Sequence, residues 1–289
     1  MIRFDGLTKR FGKTLVLDGL NLSINPGERL ALIGANGAGK TTLIRALLGE
    51  YVHEGRIFVD GLEPRKHRAQ ILRQISFVPQ MPPPLRMPVG VLLSYAASIC
   101  GAPEADMREV GVRLGLDFDD INARPFAKLS GGQKQKILIA IAMGRPAKII
   151  IMDEPTANLD PRARQIFFDL MAERLQRTMI ISSHRLEEVA GLVNRVVELD
   201  RGKVVLDDRV EDAADPAARL ACVLVLKRAD AAFAKTAASW GLGDGKDGLQ
   251  WRGEIAGADR LRFLGMLARY AGVLSRIEIA ERKDAEKAA

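Results

Sequence analysis

The chain has 289 residues, which is long for one average domain and short for three, so the length favours a large domain joined to a smaller one. With 47% hydrophobic and 27% charged residues, the composition is that of an ordinary globular protein and excludes a disordered or collagen-like chain. The net charge of +7 suits anionic partners but is too small to indicate nucleic-acid binding.

The cysteines, the first residues and the longest uncharged stretch predict the cellular compartment of the protein. Cys100 and Cys222 lie far apart without metal-ligand spacing, which favours a reducing compartment and no disulfide. Residues 1–5 carry charge at once and lack the apolar core of a signal peptide. The longest uncharged stretch, Met87–Pro103, is interrupted by proline, glycine and serine, so we expect no membrane span. Any role at a membrane must then come through a partner.

The first chemical motif lies in a predicted strand–loop–helix unit. A buried strand is expected at Arg29–Ile33, and Thr41–Leu48 has helical spacing with Gly49 in the stop position. The glycine-rich loop between them fits the phosphate-binding pattern, in which backbone N–H groups wrap phosphates at a helix N-terminus. Lys40 would reach the β and γ phosphates, and Thr41 would hold Mg²⁺. The nucleotide-binding residues predicted here are Gly34, Asn36, Gly37, Ala38, Gly39, Lys40, Thr41 and Thr42.

The middle of the chain predicts a helical insert. The Met81-Pro82-Pro83-Pro84 run cannot continue a helix or a central strand, and residues 89–128 lack a strand pattern. We therefore expect a helical subdomain at about 85–130. Its apolar stretch suits docking of a partner helix, with Val91 and Leu92 as the residues to test.

A second anion-binding helix N-terminus is predicted after the insert. Leu129–Gln133 presents a hydroxyl and two glycines at the start of a long helix, Lys134–Met143. Like the phosphate-binding loop, it offers backbone N–H groups to a negatively charged ligand.

Acidic residues follow one of two further buried strands. Lys148–Met152 and Thr178–Ile181 are aliphatic runs typical of parallel strands, and the helical Pro161–Gln176 between them completes a βαβ unit. Asp153 is placed for Mg²⁺ binding and Glu154 for a general base. Taken alone, this pair is equally typical of a solvated loop at a strand end.

The C-terminal part predicts a small separate module. Glu211–Ala218 has the composition of a linker, and the tail from Glu281 to Ala289 is expected to fray. Between them the pattern predicts strand, helix, strand, helix and strand at Ala221–Leu226, Ala231–Trp240, Leu249–Ile255, Arg260–Tyr270 and Val273–Ala280.

In this order the motifs resemble those of the ATP-binding cassette (ABC) ATPases over roughly residues 1–210. The marks are the phosphate loop, Gln80, the Leu129–Gln133 signature, Asp153-Glu154, the Asn158-Leu159-Asp160 turn and His184. The resemblance implies an α/β P-loop NTPase fold with a helical insert in residues 1–210. It also implies a small α+β ferredoxin-like domain in residues 211–289.

The resemblance also implies residue roles. Gln80 would touch Mg²⁺ and the attacking water, and His184 would contact the γ-phosphate, although either residue taken singly is more often structural. Phe11 would stack on adenine, the alternative being a simple core aromatic. A partner copy would contribute Ser130, Gly131, Gly132 and Gln133 to the nucleotide, and Glu154, His184 and Gln80 would be the catalytic set.

The function implied is an ATP-binding and ATP-hydrolysing subunit of an ABC transporter, with ATP and Mg²⁺ as cofactors. It would pair with a second copy in a nucleotide-sandwich dimer and with separate transmembrane permease subunits, without nucleic acid. Its place would be the cytoplasmic face of the inner (plasma) membrane.

Export is the direction favoured, because the small C-terminal domain is similar to those of drug-resistance and nitrous-oxide-reductase maturation ATPases. An importer with a regulatory C-terminal domain is the alternative. A soluble cassette protein that acts on DNA or ribosomes is disfavoured, since the chain lacks long heptads and a second cassette. A regulator without turnover would be expected to lack Glu154 or His184.

Overall fold

The structure is a computed structural model that describes residues 1–184, 186–209, 219–245, 247–256, 259, 263, 266–267, 270 and 273–281. The predicted linker Glu211–Ala218, most of the predicted helix Arg260–Tyr270 and the tail beyond Glu281 lie outside the described residues. The chain divides into two compact units, the first of which comprises Met1–His184 and Leu192–Arg209.

The elements of the first unit are numbered in chain order. Its strands are β1 (Ile2–Phe11), β2 (Thr14–Ile24), β3 (Arg29–Ile33), β4 (Glu54–Val59), β5 (Ile75–Val78), β6 (Ile149–Asp153), β7 (Thr178–Ser182), β8 (Arg195–Asp200) and β9 (Lys203–Arg209). Its helices are α1 (Lys40–Leu47), α2 (Arg68–Leu72), α3 (Val89–Cys100), α4 (Glu104–Arg113), α5 (Phe118–Ile121), α6 (Gly131–Met143) and α7 (Pro161–Ala172). A short helix of the second unit, α8, covers Leu186–Val189.

A six-stranded sheet carries the predicted motifs. Its order is β5-β6-β7-β3-β8-β9, and all neighbours are parallel except the β8–β9 pair. Every residue of β6 and β7 is buried, which explains why β6 is apolar up to Asp153 and why β7 has an apolar run between Thr178 and Ser182. The carboxyl ends of β3, β6 and β7 therefore meet at one edge, where the phosphate loop and the acidic pair begin.

A three-stranded antiparallel sheet, in the order β2-β1-β4, shares a core with α1. Phe4 and Ile57 from this sheet and Leu43 and Ile44 from α1 belong to one buried cluster. The sequence analysis did not predict β1 or β4, because their alternation of buried and charged residues is broken by register shifts.

The predicted helical insert is helical, with α3, α4, α5 and a 3₁₀ turn at Phe126–Lys128 around their own buried cluster. Val91 is 56% exposed, whereas Leu92 is 7% exposed and belongs to that cluster. The choice of Leu92 as a docking residue was therefore wrong, since a charge there would enter the core.

The second unit contains β10 (Arg219–Leu226), α9 (Ala231–Ser239), β11 (Gly243–Asp244), β12 (Gln250–Ala256) and β13 (Leu274–Glu281). Its sheet has the order β11-β12-β10-β13 with every pairing antiparallel. This order is that of a ferredoxin-like sheet. The two-residue β11 is an element that the sequence analysis missed. Within the part of the chain described, no helix combines the length and the apolar character that a membrane crossing requires.

Candidate active site

The loop between β3 and α1 has a shape that requires glycine. Gly34 and Gly39 have φ angles of 144° and 111°, where other residues are strained. A Cβ atom on Gly34 would lie 2.3 Å from the carbonyl oxygen of Leu199, and one on Gly39 would lie 2.9 Å from Cδ2 of Leu17. The backbone of the loop is thus packed against β8 and β2, and its course is determined by contacts outside the loop.

Lys40 is the first residue of α1 and is buried, yet its charge is aimed at the loop. Its Nζ donates to the carbonyl oxygens of Gly34 at 2.6 Å and Ala35 at 3.2 Å. Gly39 precedes the helix and offers no side-chain cap to its first N–H groups. A lysine and uncapped N–H groups at one helix end form a site for an anion.

A pocket of about 490 Å³ opens at this loop. It brings Gln80 and Glu154 to the loop residues, although the three segments are far apart in sequence. The complete lining consists of Thr14, Val16, Ala35, Asn36, Gly37, Gly39, Lys40, Thr41, Thr42, Gln80 and Glu154. Thr14 and Val16 of β2 were missed by the sequence analysis, because no motif surrounds them.

Gly34 and Ala38 do not line the pocket. Ala38 is buried, donates its N–H to Ala35 and accepts a hydrogen bond from the N–H of Gly202 at 3.0 Å. Both residues fix the backbone of the loop through contacts on the side away from the pocket.

The acidic pair stands at the end of β6. Asp153 is buried and accepts a hydrogen bond from the Ser182 hydroxyl at 2.5 Å. Glu154 has a φ of 48°, in the left-handed region, and its N–H donates to the carbonyl and the hydroxyl oxygen of Ser182. A glutamate in this conformation costs about 1–3 kcal/mol, and such strain gathers at functional sites.

The three predicted catalytic side chains meet at one carboxylate oxygen. Gln80 Nε2 donates to Oε2 of Glu154 at 3.2 Å, and Nδ1 of His184 lies 3.8 Å from the same oxygen. The Glu154 side chain is 13% exposed and the His184 side chain 51% exposed. Glu154 is thus largely enclosed, and its carboxylate lies between the exposed Gln80 amide and the accessible His184 imidazole.

The signature residues lie elsewhere, at the start of α6. Ser130 caps this helix: its hydroxyl accepts from the Gln133 N–H at 3.2 Å, and the Gln133 side chain accepts from the Ser130 N–H at 3.1 Å. This reciprocal capping box satisfies two N–H groups at the helix end. Ser130, Gly131, Gly132 and Gln133 are absent from the lining of the pocket. One chain therefore does not bring the signature to its own phosphate loop.

Two contacts connect α6 to the turns that follow β6. The buried Gln135 donates to the carbonyl oxygen of Pro155 at 3.1 Å, and Lys136 pairs with Asp160 at 3.0 Å. The N–H of Ala163 and the ammonium of Lys136 lower the pKa of Asp160 below its ordinary value. The signature helix and the Glu154 turn are therefore held in one arrangement.

Phe11, predicted to stack on adenine, ends β1 and is 44% exposed, so it is not a core residue. It packs edge-on against Tyr51 at 5.2 Å, and Lys9 Nζ lies 4.5 Å from its ring centre. The ring is not part of the pocket lining.

The residues fit a magnesium nucleotide. The loop has room for phosphates, because the pocket of about 490 Å³ opens onto Ala35, Asn36 and Gly37 and onto the start of α1. The Thr41 hydroxyl, the Gln80 amide and the carboxylate of Asp153 are oxygen donors of the kind that Mg²⁺ prefers. Thr41 and Gln80 line the pocket, whereas Asp153 lies behind it beside Glu154.

Comparison with known proteins agrees with this site. A family model described as ABC transporter matches residues 17–157. The phosphonates import ATP-binding protein PhnC of Frankia casuarinae is 32% identical over 237 residues, which cover 73% of this chain and 91% of that protein. This chain belongs to the ABC transporter ATPase family. The prediction of the family, of the α/β P-loop fold and of an ATP-hydrolysing enzyme is confirmed.

Two further relatives show how the family varies. The Nod factor export ATP-binding protein I of Paraburkholderia xenovorans is 33% identical over 216 residues, covering 71% of this chain and 70% of that protein. A solved ATP-binding subunit of an ABC transporter has a TM-score of 0.65 and 27% identity, covering 73% of this chain and 91% of that one. Relatives named for import and for export match this ABC ATPase about equally well.

Proposed function

We propose that two copies of this chain bind and hydrolyse Mg²⁺-ATP between them and drive a substrate through separate membrane subunits. The observation that carries the proposal is the pocket that joins Lys40 to Glu154 while the signature stays outside it. Each half of a reaction site is thus built in one chain, and neither half is complete.

Nucleotide binding is assigned to the loop and the start of α1. The Lys40 ammonium and the backbone N–H groups of residues 35–41 would hold the β and γ phosphates, since they offer positive charge and uncapped donors together. Mg²⁺, held through Thr41, Gln80 and Asp153, would neutralise charge on the phosphates.

Proton transfer is assigned to Glu154. Its carboxylate can accept the proton of the attacking water, and Gln80 orients it through the 3.2 Å hydrogen bond. His184 lies next to the same carboxylate oxygen and is exposed enough to reach a γ-phosphate. Phe11 is proposed to stack on the base, from its exposed place at the end of β1.

The second copy is proposed to supply Ser130, Gly131, Gly132 and Gln133. These residues stand at the N-terminus of the 13-residue α6, whose positive end suits a phosphate. A twofold arrangement would use each signature against the other chain's nucleotide, so two chains form two sites.

Hydrolysis is tested directly with the purified chain. We expect Mg²⁺-dependent phosphate release that EDTA abolishes and that Glu154→Gln lowers at least about 100-fold, the scale of general-base catalysis. Glu109→Gln on the exposed side of α4 is the matched control and should hydrolyse ATP normally. Full turnover in Glu154→Gln would refute the assignment of the base.

The membrane partner is proposed to dock on α3. Val91, Tyr95 and Ile99 are 56%, 58% and 61% exposed and recur every four residues, so they form an apolar stripe on one helix face. We expect Val91→Asp to abolish co-purification of the membrane subunits from detergent. Val112→Asp is the control, because Val112 is equally exposed on α4. Normal recovery of the subunits with Val91→Asp would overturn this docking face.

Export is the direction proposed from the small C-terminal unit, and import is the second candidate because the Frankia relative is named as an importer. Inside-out vesicles separate the two, since the ATPase would then face the medium. Export accumulates added substrate in the lumen when ATP is supplied, whereas import releases substrate that was loaded beforehand. Recovery of the chain with such vesicles also tests its proposed place on the cytoplasmic membrane face.

A further inference from the structure

The central strand of the C-terminal sheet is apolar on both of its faces. Leu220, Cys222, Leu224 and Leu226 of β10 are buried in the hydrophobic cluster of this unit, together with Phe233 of α9. The alternate positions of the same strand are Ala221, Val223 and Val225. A sheet with one solvated face normally carries polar residues there, whereas an unbroken apolar run is typical of a strand covered on both sides.

The second face lies open in the part of the chain that the structure describes. Ala221 is exposed, and Val223 and Val225 are half-buried. None of the three belongs to the cluster of described residues that fills the helix side of the sheet. We call Ala221, Val223 and Val225, with their cross-strand neighbours, the open face.

Charged side chains frame the open face in a definite pattern. Val223 is in register with Arg252 of β12 on one side and with Glu278 of β13 on the other. One step along, Val225 is in register with Gln250 and Arg276. The apolar column is therefore flanked by the Arg252 guanidinium on one side and, at the same height on the other side, by the Glu278 carboxylate, which also accepts a hydrogen bond from Arg276 of its own strand.

We propose that the open face packs against the open face of a second copy, with a twofold axis parallel to β10. Rotation about that axis exchanges the two flanks and keeps the height along the strand. Arg252 then faces Glu278 of the second copy, twice per dimer, and each Val223 faces its own counterpart. Arg276 likewise faces the Gln250 amide, which can accept its hydrogen bonds.

The charge pattern selects this axis over the other one that the sheet allows. An axis across the strands through Val223 would put Arg252 against Arg252 and Glu278 against Glu278. Like charges at an interface are unfavourable, whereas opposite charges fix the register of two patches. Of these two orientations, only the one with the axis parallel to β10 makes the open face self-complementary in charge.

The contact is expected to be weak. A face three strands wide and five residues long measures about 14 Å by about 17 Å, far less than a stable interface buries. Between free copies it would therefore be short-lived, at a level that an irreversible cross-linker accumulates at high protein concentration, and a second link such as a membrane subunit would strengthen it. It does not itself depend on nucleotide.

Cross-linking tests the contact in the full-length chain without nucleotide. All variants carry Cys100→Ser, because Cys100 is only half-buried and its thiol could react with the cross-linker. Cys222 is kept, because burial raises the pKa of its thiol to about 11 and leaves it unreactive. A short bis-maleimide at high protein concentration should link Val223→Cys and Val225→Cys as dimers. Ala238→Cys on the exposed side of α9 is the control and should stay monomeric.

No dimer with Val223→Cys would overturn face-to-face packing, and dimers with Val223→Cys but not with Val225→Cys would overturn the proposed axis. Introducing Lys40→Ala should change nothing, which separates this contact from an ATP-bridged dimer.

A charge exchange provides an independent check. Arg252→Glu and Glu278→Arg should each lower the cross-linking rate of Val223→Cys about tenfold, and the double variant should restore it. Both side chains are exposed, so the fold tolerates the changes. A double variant that links as slowly as the single ones would overturn the pairing of Arg252 with Glu278.

Discussion

The N-termini of α1 and α6 in this ATPase are built in opposite ways, and only that of α1 lies at the pocket. Helix α1 follows Gly39 and has no side-chain cap, and Lys40 at its start lines the pocket. Helix α6 follows Ser130 and is closed by a capping box with Gln133. One end leaves its donors for a ligand, whereas the other satisfies part of its donors with its own side chains.

The difference indicates which helix N-terminus binds a phosphate in the pocket of its own chain. An uncapped N-terminus costs stability unless something else accepts its hydrogen bonds, so α1 is adapted to a bound phosphate. The N-terminus of α6 is stable without a ligand, because its capping box satisfies two N–H groups, and it can contact a neighbouring molecule without rearranging. Gln135 and Lys136 hold that surface in place through Pro155 and Asp160.

The largest effect is expected at the uncapped end. Lys40→Ala should lower ATP affinity about 10- to 150-fold, because charge-assisted hydrogen bonds to phosphate are worth about 1.5–3 kcal/mol. Isothermal titration calorimetry measures it. Lys148→Ala is the control, since Lys148 is exposed just before β6, at the opposite end of that strand. Unchanged affinity in Lys40→Ala would end the phosphate assignment.

The capped end should respond in the converse way. Ser130→Ala removes the capping box and should lower the free energy of unfolding by about 1 kcal/mol, with the ATP affinity of the monomer unchanged. Urea unfolding and calorimetry measure the two quantities, and Ser130→Thr, which keeps a hydroxyl cap, is the control. A tenfold loss of monomer affinity would mean that the signature serves its own chain's pocket.

The elements that could be predicted from the sequence are those whose residue pattern fits a single kind of structure. The buried strands before the phosphate loop and before Asp153 are continuous apolar runs, and the loop pattern itself is restrictive. Features that depend on contacts between distant residues could not be predicted from the sequence. The register shifts of β1 hide its alternation, and Thr14 and Val16 reach the pocket through tertiary contacts, since β2 packs against Gly39 and Gly202. No residue pattern predicts the left-handed backbone of Glu154.

The strained backbone of Glu154 predicts an effect on stability of similar size and opposite sign. Glu154→Gly should raise the free energy of unfolding by about 1 kcal/mol, since relief of about 1–3 kcal/mol of strain exceeds the entropy that glycine adds to the unfolded chain. Glu154→Gln keeps the strain and should leave stability unchanged. Thermal unfolding compares the two variants, and equal midpoints would show that the conformation costs nothing here.

The smallest effect concerns an ion pair away from both helix ends. Arg195 donates to Asp207 at 2.8 and 2.7 Å, and these hydrogen bonds hold the pKa of Asp207 below its ordinary value. A lowered carboxylate pKa contributes stability above about pH 4, and the contribution is lost as the pH falls through the folded-state value.

Asp207→Asn should therefore lower stability at pH 7 and make the loss below pH 4 less steep. Urea unfolding from pH 3 to pH 7 measures it, with Asp208→Asn on the exposed neighbour as the control. Equal slopes in both variants would contradict the role of this pair.

In the proposed dimer, the uncapped N-terminus of α1 in one chain and the capped N-terminus of α6 in the other form one site. Glu154→Gln should retain ATP and run as a dimer in size-exclusion chromatography at low micromolar concentration with ATP, and as a monomer without it. Adding Ser130→Arg should return the ATP-bound chain to a monomer, because the long side chain would occupy the space that the partner's nucleotide needs at the start of α6. A monomer under both conditions, or a dimer that survives Ser130→Arg, would contradict the shared site.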